Sequence, residues 1–222
     1  GLPQTFTLDV HNVGDSPAYG LTITDVLPND ATGGMCDAVP VNFVAQVFEA
    51  DGTTAVSPVL VQGTDYDVGF VGDPDCRVSI TILNATGAIG ADQRLIVSYD
   101  ASLDLDSQQG ANLTNVAGAT EWFGLDVTDA TLAPYARTYS RVLTDGTVNV
   151  LDHEDAHTVV VFVPVLQFEK TVVNVTSGED PATVATPGDT LRYTLRIENL
   201  SDTPLTDFRI IDELDQLNAT PL

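Results

Sequence analysis

The chain repeats itself at an offset of 187 residues, and no other feature narrows its fold as much. Laying Gly188 on Gly1 and running forward without a gap places Thr194-Leu195 on Thr7-Leu8, Asn199 on Asn12, Asp202 on Asp15 and Pro204 on Pro17. The same register brings Ile210 onto Ile23, Asp212 onto Asp25 and Leu214 onto Leu27, with Tyr193/Phe6, Ile197/Val10 and Thr203/Ser16 as conservative pairs. Self-similarity at a fixed period is the signature of a tandem array. It predicts one repeat over 1–166 and the opening strands of the next over 167–222.

The local pattern is β throughout. Phe6-Thr7-Leu8-Asp9-Val10, Val78-Ser79-Ile80-Thr81-Ile82 and Tyr193-Thr194-Leu195-Arg196-Ile197 alternate apolar and polar residues with period two, as strands buried on one face do. Further strands are predicted over 19–26, 41–49, 93–100, 113–123, 158–166 and 168–175. Turn signals such as Asp51-Gly52, Asp145-Gly146 and Pro187-Gly188 separate them. No segment carries a helical stripe of useful length. The expected architecture is an all-β, immunoglobulin-like antiparallel sandwich.

Charge limits the partners. Eight Lys and Arg face 32 Asp and Glu, for a net charge of −24, and only one of the eight cations, Lys170, is a lysine. Such a surface repels phosphate backbones and anionic lipid, so nucleic-acid and direct membrane binding are disfavoured. No apolar run approaches the ~20 residues that span a bilayer. The opening Gly1-Leu2-Pro3, in place of Met, reads as a processed product or an excerpt of a longer chain.

The two cysteines, Cys36 and Cys76, border extended segments in Gly- and Asp-rich surroundings. A disulfide between them would stabilise the fold by about 4 kcal/mol on the chain-entropy account and would place the protein outside a reducing cytosol. Asn84, Asn112, Asn174, Asn199 and Asn218 each open an Asn-x-Ser/Thr frame, which agrees with an extracellular or cell-surface location.

Pro187-Gly188-Asp189-Thr190-Leu191-Arg192-Tyr193-Thr194-Leu195, followed by Asn199 and by Ile210-Ile211-Asp212-Glu213-Leu214, resembles the recurrent pattern of the DUF11 repeat family. Its immunoglobulin-like domains recur in long bacterial and archaeal surface proteins. Leu113-Thr114-Asn115-Val116-Ala117 is similar to a late strand of the related isopeptide-forming fimbrial domains. The resemblance implies that a repeat begins with a strand like that around Phe168–Val173. The first copy's equivalent would lie ahead of Gly1, which leaves an unpaired sheet edge. Residues 168–222, with two or three strands, are too few for a stable domain. The tail of one unit is therefore expected to complete the next, head to tail, by strand addition within a tandem polypeptide or between chains.

The fimbrial resemblance also implies an amide cross-link. In those domains a Lys on the first strand attacks an Asn on a late strand beside a buried acid, chemistry that needs a neutral amine and a protonated carboxyl group. Lys170 shares a strand face with Phe168 and Val172, and Asn115 shares one with Leu113 and Ala117. By the repeat register Lys170 would meet the Asn115 counterpart of the following repeat, with Asp25, or its partner Asp212, as the acid. The competing reading is a surface lysine paired with an acid.

Three other constellations are weaker. His153-Glu154-Asp155-Ala156-His157 has the letters of a zinc-protease motif, but its flanks are β-rich, and in a strand the two imidazoles would stand about 13 Å apart. Its expected state is a polar loop entering a strand. Asp65, Asp67, Asp73, Asp75, Asp104 and Asp106 supply oxygens of the kind that bind calcium, without the spacing of a helix–loop–helix calcium site. Trp122 and Phe123 fit core and edge packing better than a sugar-stacking platform. No nucleophile–base pair stands in a credible context, so no enzyme is expected. The reading is a structural module of an extracellular filament, stalk or long adhesin whose partners are copies of itself. The alternative is a calcium-dependent adhesin module that binds glycan or a surface partner.

Overall fold

The alternating segments become antiparallel strands. A computed structural model of the chain describes residues 3–144, 146, 153–163, 166–201 and 204–212. The register positions Asp202, Thr203 and Leu214 and the sequon Asn218 lie outside the described residues. Two compact units result, Gly1–Val161 and Phe162–Leu222.

In the first unit, β1 (Gln4–His11), β2 (Tyr19–Val26) and the two-residue β3 (Asn29–Asp30) and β4 (Gly33–Gly34) precede β5 (Val41–Phe48). Next come β6 (Tyr66–Val71), β7 (Arg77–Ile82), β8 (Arg94–Ala101), β9 (Asn112–Phe123), β10 (Thr138–Ser140) and β11 (Glu154–Val160). One sheet has the order β1-β8-β5. The other has the order β10-β9-β2-β7-β6, with β11 also paired to β9. Every ladder is antiparallel. The sheets bury their facing residues: Leu21 and Ile23 from β2, Val78 and Ile80 from β7, Val47 from β5, and Leu95, Val97 and Tyr99 from β8. Each contributes on the order of 1.5–3 kcal/mol by leaving water, and together they hold a two-layer sandwich.

Cys36 and Cys76 form a disulfide with Cα atoms 5.4 Å apart, closing a loop of 40 residues. Asp104 braces the same corner. Its carboxylate accepts from the backbone N–H groups of Cys36 at 3.0 Å and Asp37 at 2.9 Å.

β6 and β11 depart from expectation for physical reasons. β6 lies where the acidic run Asp65-Tyr66-Asp67 reads as a loop; Tyr66 is buried and donates its hydroxyl to Phe43 O at 2.9 Å, while Asp67 faces out. β11 starts at Glu154, not 158, because it pairs with β9 from Gly118 to Asn112. Its polar first residue is buried, and the Glu154 carboxylate takes the backbone N–H groups of Thr144 and Gly146 and the Thr144 hydroxyl.

The second unit holds β12 (Leu166–Asn174) and β13 (Leu191–Asn199), one antiparallel pair in which Lys170 stands opposite Leu195. Its apolar side chains stay in water: Phe168 is 57% exposed, Ile210 48% and Ile211 66%. Among the described residues β12 and β13 pair with no third strand.

Candidate functional site: a buried carboxyl and amide

β2 and β9 are neighbours, and their register sets Asp25 opposite Ala117. Asn115 therefore sits two residues along β9 on the same inward face, a diagonal neighbour at roughly 7–8 Å between Cα atoms. Both side chains are buried, Asp25 completely and Asn115 at 6% exposure, in a wall otherwise made of Ile23, Val78 and Leu113. Across the sandwich Tyr99 of β8 donates its hydroxyl to Asp25 Oδ2 at 2.6 Å.

Two oxygens of the site are unmatched. Asp25 Oδ1 and Asn115 Oδ1 are both buried without a hydrogen-bond partner. Leaving a buried acceptor unpaired costs about 1–3 kcal/mol, more for a charged one. Asp25 responds by holding its proton: burial raises its pKa from 3.8 to about 7, while the Tyr99 hydrogen bond pulls the other way. Burial likewise pushes the Tyr99 phenol up, aided by the Asp25 charge, so it stays a donor. Below about pH 7 the site thus holds a carboxylic acid beside a primary amide.

Lys170 lies in the other unit. Its ammonium group donates to Asp212 Oδ1 at 2.6 Å and sits 4.9 Å from the centre of the Tyr193 ring. Lys170 and Asp212 are each about one-third exposed. Lys170 shares its strand face with Phe168 and Val172, as the alternation implies. Tyr99 is the residue that sequence reasoning missed. It lies on a strand of ordinary alternation, and only the packing of β8 across β2 gives its hydroxyl a role.

The other sequence candidates are spread over loops and strands. His153 binds Val142 O through Nε2 at 3.0 Å, and His157 lies in β11, so the zinc-protease letters sit on strand and not helix. Asp65 accepts from Val61 N at 2.9 Å and from the Asn84 amide at 2.9 Å, the amide bond doing most to lower its pKa. Asp73 accepts from the Asn29 amide at 2.7 Å. Asp75 and Asp106 are exposed. The charge of Asp104, then those of Asp106 and Asp73, raises the pKa of nearby Asp37. Among the described residues no group of three or more His, Cys, Asp or Glu is arranged to hold a metal ion.

Among the sequons, Asn174 is 1% exposed and gives its amide to Asp189 at 2.8 Å, and Asn84 caps a 3-10 turn. Asn112 and Asn199 remain exposed. Trp122 stacks on Tyr139 at 5.5 Å, with the Arg141 guanidinium over its ring. An open trough between the β5 and β6 edges, lined by Val39, Val41, Phe43, Val68 and Phe70, has no titratable side chain in its wall. No described helix is long and apolar enough to cross a membrane.

No protein-family model matches the chain, and no curated protein is similar to it at sequence level. Solved structures resemble it weakly. The group B streptococcus pilus 2b backbone protein shares 13% identity over 96% of this chain and 83% of that one, at a TM-score of 0.44. A collagen-binding domain from a Staphylococcus aureus adhesin shares 12% over 69% of this chain and 85% of that one, at 0.36. The collagen-binding subdomain of the Enterococcus faecalis surface protein ACE shares 13% over 62% and 82%, at 0.35. Likenesses of this size concern the β-sandwich fold and carry nothing about ligand or assembly.

Proposed function

We propose that the chain is a structural module of an extracellular filament, stalk or long adhesin, and that successive units join head to tail through a first strand of the β12 type added to the edge of β1. The observation that carries this reading is the pair of unpartnered buried oxygens on Asp25 and Asn115, together with the place where Lys170 comes to rest. Asp212 stands 187 residues after Asp25 and Tyr193 the same distance after Phe6. Lys170 touches both of these register partners. A strand of the same sequence laid along β1 would carry its lysine to Phe6 and on to Asp25, where Asp25 Oδ1 and Asn115 Oδ1 have no hydrogen-bond partner. Among the described residues β1 pairs with β8 alone, and an edge strand of that kind can accept an added strand.

The chemistry that follows is amide formation. The neutral lysine amine attacks Asn115 Cγ while the Asp25 carboxylic acid polarises the amide carbonyl. The Cγ–Nδ2 bond breaks, a Cγ–Nζ bond forms, and ammonia leaves with the displaced nitrogen and its protons. Lysine suits the step because its amine loses its proton readily on burial, whereas a guanidinium does not. Arginine supplies every other cation of the chain. The acidic coat keeps such modules apart sideways.

Incubating the full chain with a peptide of residues 166–174 tests the reading. Denaturing mass spectrometry should find the chain plus one peptide less about 17 Da, the mass of ammonia lost on amide formation. The adduct should vanish with Asn115→Ala or a Lys170→Arg peptide. Binding of the peptide without mass loss would leave strand addition and remove the cross-link. Absence of any binding would overturn both.

A further inference from the structure

Tyr99 does more than fill the core. Its ring stacks on Phe6 of β1 at 5.4 Å between centroids and on Phe43 of β5 at 5.0 Å, with interplanar angles of 9° and 19°. Aromatic neighbours on both flanking strands leave the ring no room to swing, so the hydroxyl is fixed on one oxygen of Asp25. That oxygen is Oδ2; Oδ1 has no partner, and neither has Asn115 Oδ1 on the adjacent strand. A carboxylic acid carries its proton on one oxygen at a time. An oxygen that already accepts a short hydrogen bond is the poorer place for it, so the free oxygen receives it.

We infer that Tyr99 is the positioning residue of this site: by holding Asp25 Oδ2 as an acceptor it puts the acid proton on Oδ1, the oxygen left without a partner and so the one available to polarise the Asn115 amide. The inference rests on the amide-forming reading above and says which atom polarises the amide and what keeps it there. Phe6 gives the arrangement a second function. It belongs to the edge strand that would receive the added strand, and it touches the Tyr99 ring, so seating of the new strand bears directly on the residue that orients the acid.

The surroundings of Asp25 are simple enough for a clean test. Val78 on β7 and Ala117 on β9 stand opposite it in the ladders, Asn115 lies diagonally, and Tyr99 is the titratable group that bears on it. Tyr99→Phe removes the hydroxyl and keeps both ring stacks. Two quantities should be measured on the full chain and on this variant: the Asp25 carboxyl titration by carbon NMR, and the pH profile of peptide cross-linking. The variant should titrate at higher pH, because the bond that stabilises the carboxylate is gone. It should cross-link about tenfold more slowly at a pH where both chains are protonated, a loss of the size expected for misplaced acid catalysis.

A merely structural role would lower the rate without moving the titration, and that result, or an unchanged rate, overturns the inference. A titration that moves with no cross-linked product from either chain overturns the amide-forming reading and leaves the hold of Tyr99 on Asp25 standing. Should the variant fail to fold, the native chain serves: the Tyr99 hydroxyl proton should be visible by NMR and slow to exchange, and a freely exchanging hydroxyl overturns the inference.

Discussion

Lys170 reaches Asp212 at 2.6 Å across the open face of a two-stranded sheet, while Asp25, which occupies the same place in the 187-residue register, is fully buried with one oxygen unmatched. The two acids differ in surroundings, and the difference is chemical. Solvent reaches Asp212, whereas Asp25 is walled in by the second sheet that its unit possesses.

The Lys170–Asp212 pair should contribute little to stability as it stands. Both groups are partly exposed, so Lys170→Ala should cost less than about 1 kcal/mol in urea denaturation of the chain. The same change in a 166–174 peptide should abolish cross-linking, which separates a chemical role from a structural one.

Asp25 should make stability fall with rising pH. Its folded pKa, near 7, lies above the unfolded 3.8, so between these values the folded state binds a proton that the unfolded state releases. The contribution is complete below about pH 4 and is lost as pH rises through 7, on the order of 4 kcal/mol in all. Asp25→Asn should remove that fall. Urea midpoints of the two chains from pH 4.5 to 8 should converge at the acid end and separate toward the alkaline end; parallel curves would contradict the assignment.

Reduction of Cys36–Cys76 should destabilise the first unit by about 4 kcal/mol, the loop entropy that a closure of this length withholds from the unfolded chain. In a scanning melt with and without reductant this corresponds to roughly 10 °C. Cys36→Ser with Cys76→Ser should reproduce the reduced curve.

Ile23 and Ile210 offer a matched comparison. Ile23 is 1% exposed and Ile210 48%. Ile23→Ala should cost 2–5 kcal/mol through lost burial and the cavity left behind. Ile210→Ala should stay within about 0.5 kcal/mol in this chain. Denaturant melts of the two variants decide it, and equal costs would mean that the second unit has a core of its own.

Much of the β architecture is legible without coordinates. Period-two alternation marks Phe6–Val10, Val78–Ile82 and Tyr193–Ile197, and burial on one face converts that alternation directly into strand. The disulfide is legible too, since each cysteine borders a strand in a turn-rich setting. β6 and the start of β11 were hidden because polar residues carry them. Asp67 lies on an outward face, and Glu154 is buried with hydrogen bonds from Thr144 and Gly146. Hydrophobic pattern cannot register a carboxylate that a distant loop satisfies.

The sequence by itself determined the all-β class, the inward face of Asn115, and the choice of a single lysine among eight cations. These are properties of alternation and composition, local in the chain. Only the tertiary structure decided that Asp25 and Asn115 share one buried face, that Tyr99 claims one oxygen of the acid, and that the acidic loops brace backbone N–H groups. Those relationships depend on strand register and on which sheet covers which. Both are fixed by long-range packing, and residue spacing along the chain does not encode them.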